Sequence, residues 1–116
     1  MKTADELQTH LNASLQSVQI ANRILDAMRT HNLDATFIDR ATDAVRIFWN
    51  ESHANNRTVL MHIFDSCSVT CIAIDEHVHK YWTVSDLSAT CNLTLSLTLD
   101  ETLEYIRHFL WANHDA

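Results

Sequence analysis

Apolar residues recur at spacings of three and four from Leu7 onward. Leu7, Leu11, Leu15, Val18, Ala21, Leu25 and Met28 fall on one face of a helix, widened in its second half by Ile20 and Ile24. Thr3 and Glu6 form a capping-box pair at its start. The helix either runs unbroken to Thr30 or restarts near Ser17, because Asn12 to Ser17 is weak helix material with a second cap to offer. Asn32 is the expected stop.

The period then changes from 3.6 to two. Thr36-Phe37-Ile38 reads as a short strand, and Ala44 to Trp49 as a better one with Val45, Ile47 and Trp49 on one face. Thr58 to Phe64 returns with Val59, Met61 and Ile63 in the matching positions, followed by Val69 to Ile74 and Lys80 to Val84. His53 to Asn56, Asp65 to Ser68 and Asp75 to His79 are the turns. Either Asn55 or Asn56 is expected in the left-handed conformation. Cys91, Leu93, Leu95, Leu97 and Leu99 alternate with polar residues, the pattern of a strand buried on one side. Asp100, or Thr98 with Glu101, caps a last helix whose buried stripe is Leu103, Ile106 and Leu110, with Phe109 beside it. The pattern predicts a single α+β domain over residues 1–116: an antiparallel meander of about five or six strands flanked by N-terminal and C-terminal helices.

The second face of this sheet is unusual. Opposite Val45, Ile47, Val59, Met61 and Ile63 lie Phe48, Leu60, Phe64, Ile72 and Ile74, with Arg46 and His62 between them. A solvated face would be polar, so something must cover this one. Either the two helices take one face each, or a partner covers the second: another copy of this chain or a target protein. Phe48, Leu60, Phe64, Ile72 and Ile74 are therefore the candidate interface residues. Trp49, Trp82 and Trp111 read as core or half-buried, and Tyr81 with Trp82 as a possible exposed recognition spot.

Composition sharpens this picture at one point. The 116 residues include no glycine and no proline, against an average usage of roughly 7% and 5%. Asparagine, aspartate, serine and histidine must form every turn, and glycine-based functional motifs are excluded. The net charge is −7, with only Lys2 and Lys80 as lysines. That balance excludes a phosphate-backbone partner, so no nucleic acid is expected. No apolar run is long enough to span a membrane. Three cysteines and a polar start at Met1 to Glu6 point to a reducing cytosol. Asn12, Asn50, Asn56 and Asn92 each begin a glycosylation-type tripeptide, but in that compartment they read as turn asparagines.

The candidate chemistry is sparse. Cys67, Cys71, His77 and His79 carry the ligand types zinc prefers. Their spacing matches no strong zinc signature, and Cys71 should point into the core. No metal or other cofactor is expected, and a metal-dependent or acid–base enzyme on these four residues is the alternative. Asp75-Glu76-His77 could support acid–base chemistry but reads as a solvated turn. His10, His31, His53 and His114 fall at expected surface positions or ends. A non-enzymatic binding or assembly module, self-associating or bound to another protein, is the reading these residues favour.

The same segments resemble a group of small uncharacterised bacterial proteins. Those carry a helix opened by Ser-Pro-Glu-Ala, then Pro-Asp-Gly-Gly-Val-x-Leu-Glu-Trp, then a turn like Pro-Asp-Gly-Ser-Val and a terminal helix. Here Ser17-Val18-Gln19-Ile20, Thr42 to Trp49, Asp65-Ser66-Cys67-Ser68-Val69 and Leu103 to Trp111 stand at those places. Every family glycine and proline is replaced. The resemblance implies a soluble bacterial α+β domain with no established activity, rewritten or engineered without two amino acids. More distantly, the helix–sheet–helix order is similar to the single-domain chaperones of bacterial secretion systems. Those have an extra helix inside the sheet that this pattern does not supply.

Overall fold

Alternating apolar positions separated by short polar turns give a sequential antiparallel sheet, because each hairpin places the next strand beside the last. The computed structural model describes residues 14–50, 56–88 and 95–111. Helix α1 (Leu15–Thr30) is followed by β1 (Phe37–Ala41), β2 (Ala44–Trp49), β3 (Thr58–Phe64), β4 (Val69–Ile74), β5 (His79–Val84), β6 (Ser96–Leu97) and helix α2 (Leu99–Trp111). The six strands lie in sequence order. Strands β1 to β5 are antiparallel throughout, and β6 joins β5 in parallel. The fold is the expected α+β sheet with a helix at each end of the chain.

Three local expectations are corrected. Strand β1 extends to Ala41 instead of ending at Ile38, and His79 begins β5 instead of closing a turn. The alternating run does not reach Leu99. Thr98 and Glu101 form a reciprocal capping box, Glu101 N–H to Thr98 Oγ1 at 3.1 Å and Thr98 N–H to Glu101 Oε1 at 3.0 Å, which starts α2 at Leu99. Residues 91–94 of that run lie outside the described residues. Of the two readings of α1, the restart is the one observed: Ser14 has an extended ψ of 147° and caps the helix, its Oγ accepting from Ser17 N–H. Thr3 and Glu6 lie outside the described residues.

The end of α1 shows how the chain turns without glycine. His31 is the C-cap, and Asn32 follows in the left-handed region at φ 57°. Leu33 N–H donates to Met28 C=O at 2.9 Å and Asn32 N–H to Arg29 C=O at 3.2 Å, the paired bonds of a Schellman motif. Leu33 and Met28 are both buried, supplying its hydrophobic contact. The other positive φ among the described residues is Cys67 at 68°. Cys67 ends the three-residue β3–β4 loop, with its N–H on Phe64 C=O at 2.8 Å and Phe64 N–H on Ser68 C=O at 2.9 Å. A left-handed residue is required there to complete the bulge that closes such a loop. Asn56 is not in the left-handed region, and Asn55 lies outside the described residues, so the strained turn position is Cys67.

The core lies on one side of the sheet. Val45, Ile47, Val59, Met61, Ile63, Val69, Cys71 and Trp82 form one cluster with Val18, Ala21, Ile24, Leu25 and Met28 of α1 and with Leu103, Ile106 and Leu110 of α2. The Trp82 indole N–H donates to Thr102 Oγ1 of α2 at 3.0 Å within this core. The Lys80 ammonium sits 4.6 Å from the centre of the Tyr105 ring on the same side. Both helices therefore pack on one face, which corrects the possibility that each covers its own.

The helices are also joined at their ends. His31 Nδ1 lies 2.9 Å from Glu104 Oε1 and Nε2 lies 3.0 Å from Asp100 Oδ1, with the His31 side chain only 13% exposed. Carboxylates only accept, so both ring nitrogens must donate and His31 is an imidazolium. Asp100 first, then Glu104, raise its pKa above the ordinary value. Arg107, and then His31, hold Glu104 down to about 2. The negative end of α1 favours the same cation.

Two outcomes are expected. Cys67→Gly relieves a left-handed strain of roughly 1 kcal/mol and should raise the unfolding free energy by about that much in urea titration. An unchanged or lower value contradicts strain at this loop. The clamp should also be pH-linked. The folded chain holds the His31 proton more tightly than the unfolded chain, whose value is about 6.5. The clamp's stabilisation is thus complete below about pH 6.5 and fades as pH rises through the higher folded-state value. In the difference between the unfolding free energies of the parent chain and His31→Gln, that loss should show as pH rises from about 6 to 9. A pH-independent difference would show that the clamp is absent in solution.

Candidate functional site

Period-two geometry sends residues adjacent in sequence to opposite faces of a strand. The register that places Ile38, Ile47, Met61, Cys71 and Trp82 in one inward row therefore places Phe37, Phe48, Leu60, Ile72 and Tyr81 in one outward row. This outward row is apolar or aromatic in all five strands. Phe37 is 44% exposed and Tyr81 45%, while Phe48, Leu60 and Ile72 are half-buried by their neighbours. Ile74 is exposed one row to one side, and Phe64 is half-buried two rows to the other. The five candidate interface residues thus share one face, and Phe37 and Tyr81 extend it beyond them.

Side chains on this face already lie flat against each other. The Phe37 and Phe48 rings stack at 4.3 Å, and the Arg46 guanidinium lies 5.0 Å from the centre of the Phe48 ring. The next row is Asp39, Arg46, His62, Thr70 and Thr83. Arg46 is bidentate on Asp39, with Nε to Oδ1 at 2.7 Å and an Nη2 to Oδ2 bond of 2.5 Å. His62 stacks on Phe64 at 5.5 Å with 12° between the rings. Burial, and then Arg46, push the His62 pKa below its ordinary value. Burial covers the hydroxyl of Thr70 as well, and it has no hydrogen-bond partner among the described residues.

The cysteine–histidine set is not assembled. Cys67 lies in the β3–β4 loop, and His77 in the β4–β5 turn at the opposite end of the strands. Cys71 is buried in the helix-side core, whereas His79 is exposed on the outer face. Among the described residues no group of three or more His, Cys, Asp or Glu side chains could hold a metal ion. Asp75 is not poised for acid–base work. Its Oδ1 accepts from the backbone N–H groups of His77 at 2.7 Å and Val78 at 2.6 Å, and the same two bonds lower its pKa. It builds the turn. A groove of about 500 Å³ lies between this turn and α2, lined by Arg57, Asp75, His77, Tyr105 and His108 among others. The His77 side chain there is 88% exposed, with Nε2 3.9 Å from the solvent-exposed Glu76 Oε2.

Two aromatic expectations separate. Trp49 and Trp82 are buried, whereas Trp111 is 51% exposed. Tyr81 and Trp82 point to opposite faces, so only Tyr81 belongs to the outer row. Reasoning from sequence missed two ionic features. One is the His31 clamp, for which Asp100 and Glu104 one turn apart on α2 were the available signal. The other is Arg40 on Asp65, bidentate at 2.9 and 2.6 Å, which ties the edge strand to the β3–β4 loop. Arg40 holds Asp65 below the usual carboxylate range, with smaller help from Ser14 at the α1 cap.

Comparison with protein-family models, with curated proteins and with solved structures returns no match. No helix among the described residues is long and apolar enough to cross a membrane.

The cysteine placement has a chemical consequence. Burial pushes the Cys71 thiol far above its ordinary pKa, leaving no accessible thiolate. A thiol-labelling reagent, read by peptide mass spectrometry, should modify the half-exposed Cys67 in the native chain and Cys71 only after unfolding. Equal labelling of both in the native chain would contradict the core position of Cys71.

Proposed function

We propose that this chain is a non-enzymatic assembly module that pairs with a second copy of itself through the outer sheet face. The observation that carries the reading is the apolar row Phe37, Phe48, Leu60, Ile72 and Tyr81, running across five strands on the side that neither helix occupies. Five strands at about 4.8 Å spacing make this face about 20 Å wide, enough for a small specific interface. A contiguous apolar surface of this kind, on the side that α1 and α2 leave free, favours a protein partner over open solvent.

Charge favours a like partner. The chain carries −7 overall, yet the charged side chains on this face among the described residues are Asp39 and Arg46, which neutralise each other. A copy of the same face meets no net repulsion there, whereas a strongly basic target would find no acidic surface to match. The resemblance to small bacterial α+β proteins belongs to the same reading, with Cys67 standing at the place of glycine in their turn. Among the described residues, Cys67, Cys71, His77 and His79 are not brought together, so the metal or acid–base alternative has no assembled site to support it.

Sedimentation across a wide concentration range tests the pairing. The parent chain should show a monomer–dimer equilibrium. Tyr81→Asp, at an exposed position where folding is little affected, should weaken it by about tenfold or more. Trp111→Asp on α2 should leave it unchanged. A strict monomer at high concentration, or a dimer lost with Trp111→Asp and kept with Tyr81→Asp, would overturn the proposal.

A further inference from the structure

We infer that His62 sets the pH range of this pairing: the neutral imidazole permits the two faces to close, and the imidazolium separates them. The inference rests on the self-pairing proposed above and concerns its regulation. His62 lies near the centre of the face, on the middle strand of the five. Arg46 stands directly opposite it on β2 and Thr70 on β4, while Phe64 stacks against it along β3. Asp39 on β1 is engaged by Arg46, and Asp43 in the β1–β2 turn, then Asp39, oppose burial and Arg46 at His62 with smaller effect. His79, the other imidazole on this face among the described residues, is exposed on β5.

The neutrality that suits the face to a second copy therefore holds only while His62 is uncharged. Protonation leaves Asp39, Arg46 and His62 with a net charge of +1 on each copy. In a closed pair the two sets face each other away from water, where like charges repel most strongly and each imidazolium loses its hydration. Burial and Arg46 already disfavour the charged form in the single chain. Covering the face removes still more water, so the paired state must bind the proton more weakly than the free chain. By linkage, acid then drives dissociation.

The test is the dimer dissociation constant by sedimentation equilibrium from about pH 8 to about pH 5.5, for the parent chain, His62→Gln and His79→Gln. With two protons taken up per dimer, the constant should rise by up to about a hundredfold per pH unit once the free chain titrates. His62→Gln should pair at both ends of the range with a nearly constant value, and His79→Gln should keep the pH response. The His62 ring titration by NMR in the parent chain supplies a readout that needs no variant: its midpoint should lie lower in concentrated than in dilute protein. A pH-independent constant, a response that survives His62→Gln, or a midpoint independent of concentration overturns the inference while leaving the dimer intact. A monomer at about pH 8 overturns the pairing and this inference together.

Discussion

The antiparallel register is the constraint on which the rest of the molecule depends. It aligns Ile47, Met61, Cys71 and Trp82 into a row that both helices bury, and Phe48, Leu60, Ile72 and Tyr81 into a row that neither does. A slip of one residue would exchange the two sets. In most sheets that exchange is prevented by a polar outer face, since it would bury charges. Here the central outer row is apolar, and that penalty falls only on the neighbouring row of Asp39, Arg46 and His62. Register must be held by other means. The structure supplies them as directional contacts: Trp82 on Thr102, Arg46 on Asp39 and Arg40 on Asp65. Each requires one alignment of its strand and none tolerates a shift of a single position.

Turn chemistry adds to that specification and shows how a chain without glycine and proline still folds tightly. Side chains replace the missing backbone freedom. Ser14 and Thr98 cap the helices, Asp75 folds the β4–β5 turn onto its own carboxylate, and Asn32 takes the left-handed position after α1. Asparagine visits that region at modest cost because its short polar side chain bonds locally. Cys67 has no such compensation. Its strain is tolerated because the β3–β4 loop is fastened on three sides: Arg40 and Ser14 reach Asp65, Asp65 N–H reaches Asp43 C=O at 2.9 Å, and Gln16 Oε1 lies 3.5 Å from the Cys67 thiol.

Much of this was legible before the structure, and what was not shares one cause. Periodicity located β2, β3 and β4 at their observed bounds, the Val18 to Met28 stripe of α1, and the Thr98–Glu101 box that opens α2. It also identified the apolar second face through Phe48, Leu60, Phe64, Ile72 and Ile74. Such features are local: each is written in the spacing of neighbouring residues. The side each helix would take was not written there. The stripes of α1 and α2 require an apolar surface, and this sheet offers one on either side. Leu99 was misplaced because Leu93 to Leu99 satisfies a period of two, while the cap that ends the pattern competes for the same residues. The parallel pairing of β6, the left-handed Cys67 and the His31 clamp depend on partners far along the chain, where spacing carries no information.

His31 and His62 respond to acid in opposite senses. His31 lies between two carboxylates at a helix C-terminus, and its proton is held by everything around it. His62 is partly buried beside a guanidinium and stacked on Phe64, and its proton is resisted. As pH falls, the contact between α1 and α2 strengthens on the inner side while the outer face acquires charge. The acid response of the contact between the helices and that of the outer face are thus carried by different groups, His31 and His62, on opposite sides of one sheet.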